Sequence, residues 1–293
     1  MGSMVHGMTV PGSIEAAQRK NGYTNGVFEW LRRAPWDNPA FSGMFLSLVM
    51  FGFIGGISGV VLGTEQLNIM LHNTLYVTGH FHGTVVAGTT LAFMAVTYLL
   101  VPLIFQREIV WPKLARMQPY LFGIGAAGIS VFMMGAGLLG LPRRHWDSTF
   151  ADAALPYDYP PMASLLMGLN GLAALLAVVG GALFVVIVVA SILFGKKVDS
   201  TNAVQALGPM PNKAVVHDAV ARHGDAGTWH LPGTYVLVAV FFLAFVLYYF
   251  INWKYLSELW PMHLLRPRRA TIFSLRRSPD RRERSDSRCR ISL

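Results

Sequence analysis

The chain has 293 residues, of which 53% are hydrophobic and only 13% are charged. Soluble domains carry about 25% charged residues, so this composition argues against a soluble globular protein. The net charge of +9 does not indicate nucleic-acid binding, because the segment Arg266–Leu293 contributes +7 and the rest of the chain only +2.

In chain order, residues 1–40 are predicted to hold the stump of a helix over residues 4–18 and then a cytoplasmic loop. Five long stretches without Asp, Glu, Lys or Arg follow, at 41–62, 74–105, 120–141, 162–195 and 231–253. Each exceeds the roughly 20 residues that a helix needs to cross a bilayer. Only helices or closed barrels can span it, and the stretches do not alternate with period two. We therefore predict an all-α membrane protein, with a five-helix membrane region over residues 41–262.

Lysine and arginine residues between these stretches predict their orientation. The positive-inside rule puts the segment before the first stretch, loop 106–119 and loop 196–230 in the cytoplasm. Arg143 and Arg144 then remain on the outer side. They either lie at the membrane interface without a specific partner or bind an anion there.

Residues 263–293 form an Arg-rich tail that differs abruptly in composition from the rest of the chain. Its few large apolar residues cannot offset the entropy of ordering, so the tail is predicted to be disordered and dispensable. Binding to anionic lipid or an acidic partner is the functional alternative. The single cysteine, Cys289, lies in this tail, which excludes an internal disulfide and a Cys-rich metal site.

Two histidines, His80 and His82, lie inside the second stretch near its outer end. Ionisable residues within a membrane helix are functional candidates, although a lone histidine is more often a hydrogen-bonding partner between helices. Residues i and i+2 of a helix differ by about 200° in direction and about 3 Å in height. The two imidazoles therefore leave opposite sides of the helix at nearly one depth. Since haem iron accepts neutral imidazole as an axial ligand, the spacing predicts two haems flanking the helix.

Haem propionates are anionic and need partners. Arg143 and Arg144 follow the third stretch at the same membrane face, and arginine suits carboxylate binding. His72 lies two residues before the second stretch, also at that face. These features indicate one polar plane above the predicted haems.

At these residues the chain resembles subunit I of the haem-copper oxygen reductases. Four motifs carry the resemblance: GGISGV at 55–60, LNIMLHNT at 67–74, HFH at 80–82 and LPRR at 141–144. The segment RAPWDNPAF at 33–41, Gly79 and the extra helix at 231–253 resemble the B-family more than the A-family. The resemblance covers roughly residues 4–262, the C-terminal part of a twelve- or thirteen-helix subunit.

The resemblance implies that His80 is the proximal ligand of the high-spin haem, where oxygen binds, and is thus catalytic. It implies that His82 is an axial ligand of the low-spin haem and that Phe81 lies between the two haems. It also implies that Arg143 and Arg144 hold propionates.

His72 is implied to lie in the polar cluster above the high-spin haem. In the A-family an Asp follows the equivalent histidine, and the pair binds magnesium or manganese. Asn73 takes that place here, and Asn68 stands where a further Asp is expected. Both changes remove negative charge, so no hard-cation site is predicted.

The family's copper ligands, its redox tyrosine and the second low-spin ligand lie on earlier helices that precede this sequence. The resemblance therefore implies a copper site only in the whole enzyme, and partners that include the N-terminal half of subunit I, subunit II, and cytochrome c or a similar donor. Membrane lipid is a further predicted partner, nucleic acid is not, and the expected location is a prokaryotic cytoplasmic membrane. The remaining histidines are predicted to be surface or interfacial residues: His6, His145, His217, His223, His230 and His263.

Three other functions remain open on sequence grounds. A nitric oxide reductase has the same histidine spacing but usually Gly between the histidines, so Phe81 favours the oxidase. A helical transporter or scaffold without haem belongs to a different class, and the absence of haem absorbance would indicate it. The third is an inert gene fragment, which the helix stump at the start of the chain suggests.

Overall fold

The computed structural model describes residues 2–144, 159–198 and 231–259. Those ranges are helical, and the β-structure in them is limited to two isolated bridges. Five helices are long and apolar enough to cross a membrane, and we call them the first to fifth spans: Pro39–Gly63, Leu75–Phe105, Pro112–Leu138, Pro161–Phe194 and Pro232–Glu258. The predicted all-α fold with five spanning helices is confirmed.

Shorter helices precede the first two spans. The N-terminal helix, Gly2–Lys20, includes the residues predicted to be helical, and helices Glu29–Arg32 and Glu65–Leu71 follow later in the chain. A first compact unit covers Met1–Leu256. The second unit begins at Ser257 and is described only to Leu259, where the last helix ends. The predicted tail, 263–293 with Cys289, lies outside the described residues.

Polar side chains fix where the first two spans begin. The side-chain oxygen of Asn38 accepts hydrogen bonds from the backbone amides of Ala40 at 2.9 Å and Phe41 at 3.4 Å. Thr74 Oγ1 accepts from the Tyr76 amide at 3.2 Å in the same way. Each cap satisfies amides that the first helical turn leaves unpaired, so the helix starts at a defined residue.

The third span begins earlier and ends earlier than the charge-free stretch 120–141 predicts. It starts at Pro112, because proline suits the first helical position and the cationic residues that follow occupy its inner turns. It ends at Leu138, where Gly140 adopts φ +88°. The Leu141 amide then bonds back to the Ala136 carbonyl at 3.2 Å, which closes the helix with a left-handed glycine turn.

Three of the buried apolar clusters in the described residues join the spans at successive depths. The cluster near the outer end includes Val61, Tyr76, Met134 and Leu256, from the first, second, third and fifth spans. The middle cluster is Met50, Ala87, Leu91, Phe122 and Ala126, and the inner one is Tyr98, Ala115 and Ile187. The membrane helices thus pack along their length rather than at one crossing point.

The second and third spans approach each other closely at Gly137. A Cβ atom at this position would lie 2.0 Å from the backbone nitrogen of Tyr76 and 2.7 Å from its Cα. No side chain can occupy that space, because the obstacle is backbone. Small residues at such contacts let membrane helices pack by close van der Waals contact.

The fourth and fifth spans expose most of their apolar surface. In the most hydrophobic 18-residue segment of the fourth span only 22% is buried inside the structure, and in the corresponding segment of the fifth span only 6%. Val178 and Leu172, for example, are 67% and 65% exposed. Such a surface is stable in a lipid environment or against other apolar helices, which agrees with an integral membrane protein.

A buried carboxylate connects the N-terminal helix to the fifth span. Glu15, which is fully buried, accepts hydrogen bonds from the Gly233 amide at 3.0 Å, the Thr234 amide at 2.6 Å and the Thr234 hydroxyl at 2.7 Å. Arg19 Nε adds an ion pair at 2.8 Å. Burial raises the pKa of Glu15, but the hydrogen bonds from Thr234, Arg19 and Gly233 outweigh it and leave the pKa below its ordinary value. The carboxylate is therefore held ionised at the positive end of the last helix.

Candidate functional site

The loop before the second span and the loop after the third span are tied together at the end of the spans that the loop charges predict to be the outer one. The Leu75 amide donates to the Leu141 carbonyl and the Arg143 amide to the Asn73 carbonyl, both at 2.8 Å. Thr74 and Pro142 form an antiparallel bridge between them. This pairing brings Arg143 to the loop that starts the histidine-bearing helix, over a sequence separation of 70 residues.

Arg143 contacts Asn73 through side chains as well as backbone. Its Nη2 and Nε lie 3.0 Å and 3.3 Å from the side-chain oxygen of Asn73, which accepts both hydrogen bonds. Asn73 adopts φ +60°, a left-handed conformation that Asn tolerates better than most residues. Asn73, which stands where the A-family has an acidic metal ligand, is therefore a partner of Arg143, the predicted propionate-binding residue.

His72 and Arg144 lie next to this pair in the chain, and both are exposed. The His72 amide donates to the Asn68 carbonyl at 2.7 Å, which continues the helix that ends at Leu71. Arg144 has φ +66°. The four predicted outer-face residues thus belong to two loops that the backbone holds together, and their role in binding a cofactor stays a prediction.

His80 lies against the first span. Its Nδ1 is 2.9 Å from the hydroxyl oxygen of Ser58. A Cβ added to Gly59 would be 3.1 Å from the Cε1 atom of the ring, so the glycine leaves the imidazole the room to lie against the backbone. Ser58 is fully buried, and the imidazole is partly exposed.

His82 is held by its own helix. Its Nδ1 lies 2.9 Å from the Thr78 carbonyl oxygen, one turn earlier. Phe81, between the two histidines, is 60% exposed, and its ring meets the His80 ring edge-on at a centroid distance of 6.2 Å. The three predicted cofactor-contacting side chains of this motif are thus accessible at one level of the second span.

The hydrogen-bond partner of each Nδ1 atom bears on which ring nitrogen is free. The Thr78 carbonyl can only accept, so Nδ1 of His82 carries the hydrogen. The Ser58 oxygen lies within hydrogen-bond distance of the Ile54 and Gly55 carbonyls and of Nδ1 of His80, and a hydroxyl that donates to either carbonyl accepts from Nδ1. That arrangement leaves the Nε2 lone pair available on both rings, which is how metal-ligating histidines are usually held.

This arrangement fits a haem iron better than a metal ion held by protein alone. No group of three or more His, Cys, Asp or Glu side chains that could hold a metal ion occurs in the described ranges. A haem brings its own equatorial nitrogens and needs one or two axial ligands from protein. Two separate imidazoles with free Nε2 atoms meet that need.

The spacing argument for His80 and His82 uses a regular α-helix, but the second span departs from one at this point. It is α-helical from Leu75 to Phe81 and π-helical from His82 to Thr90. Threonine hydroxyls bond to carbonyls within the widened turns: Thr84 to His80 at 3.2 Å, Thr89 to Thr84 at 3.2 Å and Thr90 to Val85 at 2.9 Å. The first span also has a π-helical segment, Phe51–Gly56, which ends just before Ser58. Such segments are often found at functional sites.

Two features of this region were missed by sequence analysis. Ser58 is part of the GGISGV motif, but its contact with His80 depends on how the spans are aligned. Tyr76, fully buried one turn before His80, has its hydroxyl 3.1 Å from that of Tyr248 on the fifth span. No local pattern indicates that pair, because the residues are 172 positions apart.

The histidines predicted to be surface residues are not tested. His145, His217, His223, His230 and His263 lie outside the described residues, and the side chain of His6 does too.

Comparison with known proteins gives a consistent result. The family described as "Cytochrome C and Quinol oxidase polypeptide I" matches residues 3–179. "Cytochrome c oxidase subunit 1" of Thermus thermophilus is 36% identical over 182 residues, which cover 61% of this chain and 32% of that protein. "Cytochrome c oxidase subunit 1" of Bacillus subtilis is 28% identical over 121 residues, or 40% of this chain and 19% of that one.

A solved structure is similar as well. A chain of a heme-copper terminal oxidase dimer, determined by cryo-electron microscopy, aligns with a TM-score of 0.56 and 27% identity. The alignment covers 79% of this chain and 39% of the solved one. The chain thus matches about a third of the length of the Thermus thermophilus relative.

Proposed function

The chain belongs to the cytochrome c and quinol oxidase polypeptide I family, and on that premise we propose that it is the haem-binding part of a respiratory terminal oxidase. The proposed reaction of the assembled enzyme is the reduction of oxygen to water with uptake of protons. Because the chain spans about a third of the Thermus thermophilus relative, this activity requires the other helices of subunit I. Those helices are also where the copper site is expected.

One observation carries the proposal. His80 and His82 each have Nδ1 within hydrogen-bond distance of a protein oxygen, so Nε2 is the nitrogen that each leaves to a ligand, from a different position on one membrane helix. We assign His80 as the axial ligand of a high-spin haem and His82 as one axial ligand of a low-spin haem. The haems, when bound, supply the oxygen-binding iron and the electron-transfer iron.

The chain's own residues orient these groups. Phe81 lies between the ligands and is exposed enough to contact both haems. Arg143 and Arg144 are proposed to hold propionates at the outer end, where arginine can pair with a carboxylate through two nitrogens. His72 and Asn73 complete the polar layer, and the Asn73 side chain fixes the guanidinium of Arg143.

The proposed setting is the cytoplasmic membrane of a prokaryote, with subunit II, cytochrome c or a similar donor, and lipid as partners. B-family affiliation is part of the proposal and rests on the sequence motifs around residues 33–41 and on the fifth span.

Absorption spectroscopy tests the proposal. The complex that contains this chain, purified from membranes of its native host, should show a Soret band and a reduced spectrum of two haems, one of which binds carbon monoxide. It should consume oxygen faster than nitric oxide. A complex without haem absorbance would instead indicate a haem-free membrane protein, and preferential nitric oxide consumption would indicate the sister reductase.

A further inference from the structure

Ser58 is a buried hydroxyl group that the proposed haem ligation does not use directly. It is fully buried at the start of the α-helical turn that follows the π-helical segment Phe51–Gly56 of the first span. Its Oγ reaches the carbonyls of Ile54 and Gly55, the latter at 3.0 Å, and Nδ1 of His80 at 2.9 Å. Three polar partners therefore converge on one hydroxyl.

Two arrangements of these hydrogen bonds are chemically possible. A serine hydroxyl has one hydrogen, and carbonyl oxygens can only accept. A hydroxyl that donates to the Ile54 or Gly55 carbonyl leaves its lone pairs to accept from Nδ1–H of His80, so that Nε2 carries the lone pair. A hydroxyl that donates to Nδ1 instead would require the Nε2–H tautomer.

We propose that Ser58 is the positioning residue of His80: its hydroxyl selects the Nδ1–H tautomer and fixes the ring so that Nε2 can bind the high-spin haem iron. The role in iron binding rests on the proposed function, whereas the tautomer does not. Hydrogen bonds to the outer nitrogen of a ligating histidine typically orient the ring and raise its basicity, and their loss costs about 10- to 100-fold in metal affinity or activity.

A backbone carbonyl next to Ser58 offers a competing explanation of how Nδ1–H of His80 is held. The Gly55 carbonyl also lies within hydrogen-bond reach of His80 and could hold Nδ1–H by itself. The serine side chain, not the carbonyl, is the feature that a substitution can remove. Ser58→Ala therefore separates the two explanations, because it leaves the backbone carbonyl in place.

The tautomer is measured first, without haem. The full chain, labelled with ¹⁵N-histidine and placed in lipid nanodiscs at pH 8, is compared with Ser58→Ala and with Ser47→Ala. Ser47 is a matched control: it is buried in the same span and donates to the Met44 carbonyl at 2.8 Å. His80→Gln identifies the His80 signals by their disappearance.

The wild type and Ser47→Ala should show Nδ1 protonated and Nε2 unprotonated at His80. In Ser58→Ala the Nε2–H form should become the major one, and Ser58→Thr, which keeps a hydroxyl, should restore the wild-type spectrum. If Thr does not fit, Ser58→Cys should give an intermediate result, because a thiol is a weaker acceptor. An unchanged His80 tautomer in Ser58→Ala would overturn the inference in favour of the Gly55 carbonyl.

The second measurement uses the assembled complex. Ser58→Ala should lower the iron–histidine stretching frequency of the high-spin haem, raise its midpoint potential and reduce turnover about tenfold or more. The low-spin haem should keep its spectrum and midpoint, and Ser58→Thr should reverse the change. Equal shifts in both haems would mean that Ser58 supports the fold generally. A complex without haem would refute the proposed function while leaving the tautomer result intact.

Discussion

The guanidinium of Arg143 donates two hydrogen bonds to the side-chain oxygen of Asn73, across 70 residues of sequence. An asparagine cannot neutralise the arginine as an aspartate would. The Asn73–Arg143 pair is therefore net positive while the guanidinium is held in place, which suits a residue that pairs with an anionic propionate.

Removal of this charge should lower a haem potential. In Arg143→Ala or Arg144→Ala the oxidised haem, which is the more positive form, is destabilised less by nearby cations. We expect the midpoint potential of one haem to fall by about 60 mV, equivalent to about 1.4 kcal/mol for one electron, without loss of haem. Redox titration measures the midpoint. Arg116→Ala, at the inner end of the third span, removes an exposed cation paired with Asp37 at 3.4 Å and should leave both potentials unchanged. If all three variants have the same midpoint potentials as the wild type, the arginine pair has no haem partner.

Substitution of each histidine should affect a different haem. We expect His82→Ala to abolish the low-spin spectrum and preserve carbon monoxide binding, and His80→Ala to do the reverse. The reason is that the two imidazoles present Nε2 from different positions on one helix. Difference spectra of the reduced complex with and without carbon monoxide measure both effects. If either variant retains both signals, the assigned ligand is wrong.

Stability should depend on the ionisation of Glu15. Its pKa in the folded protein is lowered, because hydrogen bonds from Thr234, Arg19 and Gly233 outweigh the effect of burial. The resulting stabilisation is complete above the ordinary glutamate pKa of about 4.3 and is lost as the pH falls through the lower folded value. We expect Glu15→Gln to destabilise the protein by about 2–3 kcal/mol at pH 7.

Thermal unfolding in detergent between pH 7 and pH 3 measures this dependence. The wild type should lose stability towards low pH and approach the Glu15→Gln variant, which lacks the titrating group. Asp37→Asn is a suitable control, because that carboxylate is exposed and should contribute little. Parallel pH curves for wild type and Glu15→Gln would contradict the prediction.

The close contact at Gly137 should not tolerate a side chain. Gly137→Ala places Cβ 2.0 Å from the Tyr76 backbone nitrogen, so the second and third spans must separate. We expect a cost of about 3 kcal/mol or more, at the upper end of overpacking effects, together with loss of the His80 environment. Thermal unfolding of purified protein measures the cost.

A matched control lies on the fourth span. Nothing comes within 4 Å of a Cβ at Gly168, so Gly168→Ala should be neutral or stabilise the helix by about 0.5–1 kcal/mol. Similar unfolding temperatures for Gly137→Ala and the wild type would mean that the two spans do not pack as described.

The sequence alone determined which segments are helical and cross the membrane. Helix–bilayer matching depends on local length and polarity, so the charge-free stretches are sufficient to predict the five spans. The boundaries differ from those of the stretches: the third span begins at Pro112, because charged residues can occupy its first turns. The spacing of His80 and His82 likewise singled out the candidate site, since direction around a helix follows from residue number.

The tertiary structure decided what each candidate side chain contacts. The Ser58–His80, Asn73–Arg143 and Glu15–Gly233 hydrogen bonds join residues 22, 70 and 218 positions apart. Such pairings depend on the rotation and depth of one helix against another, which the packing of small residues such as Gly137 fixes. The π-helical turn that begins at His82 is likewise a feature that the residue spacing does not predict. Sequence periodicity contains no information about those contacts, so the surroundings of His80 are a property of the assembled fold, whereas His82 finds its Nδ1 partner within its own helix.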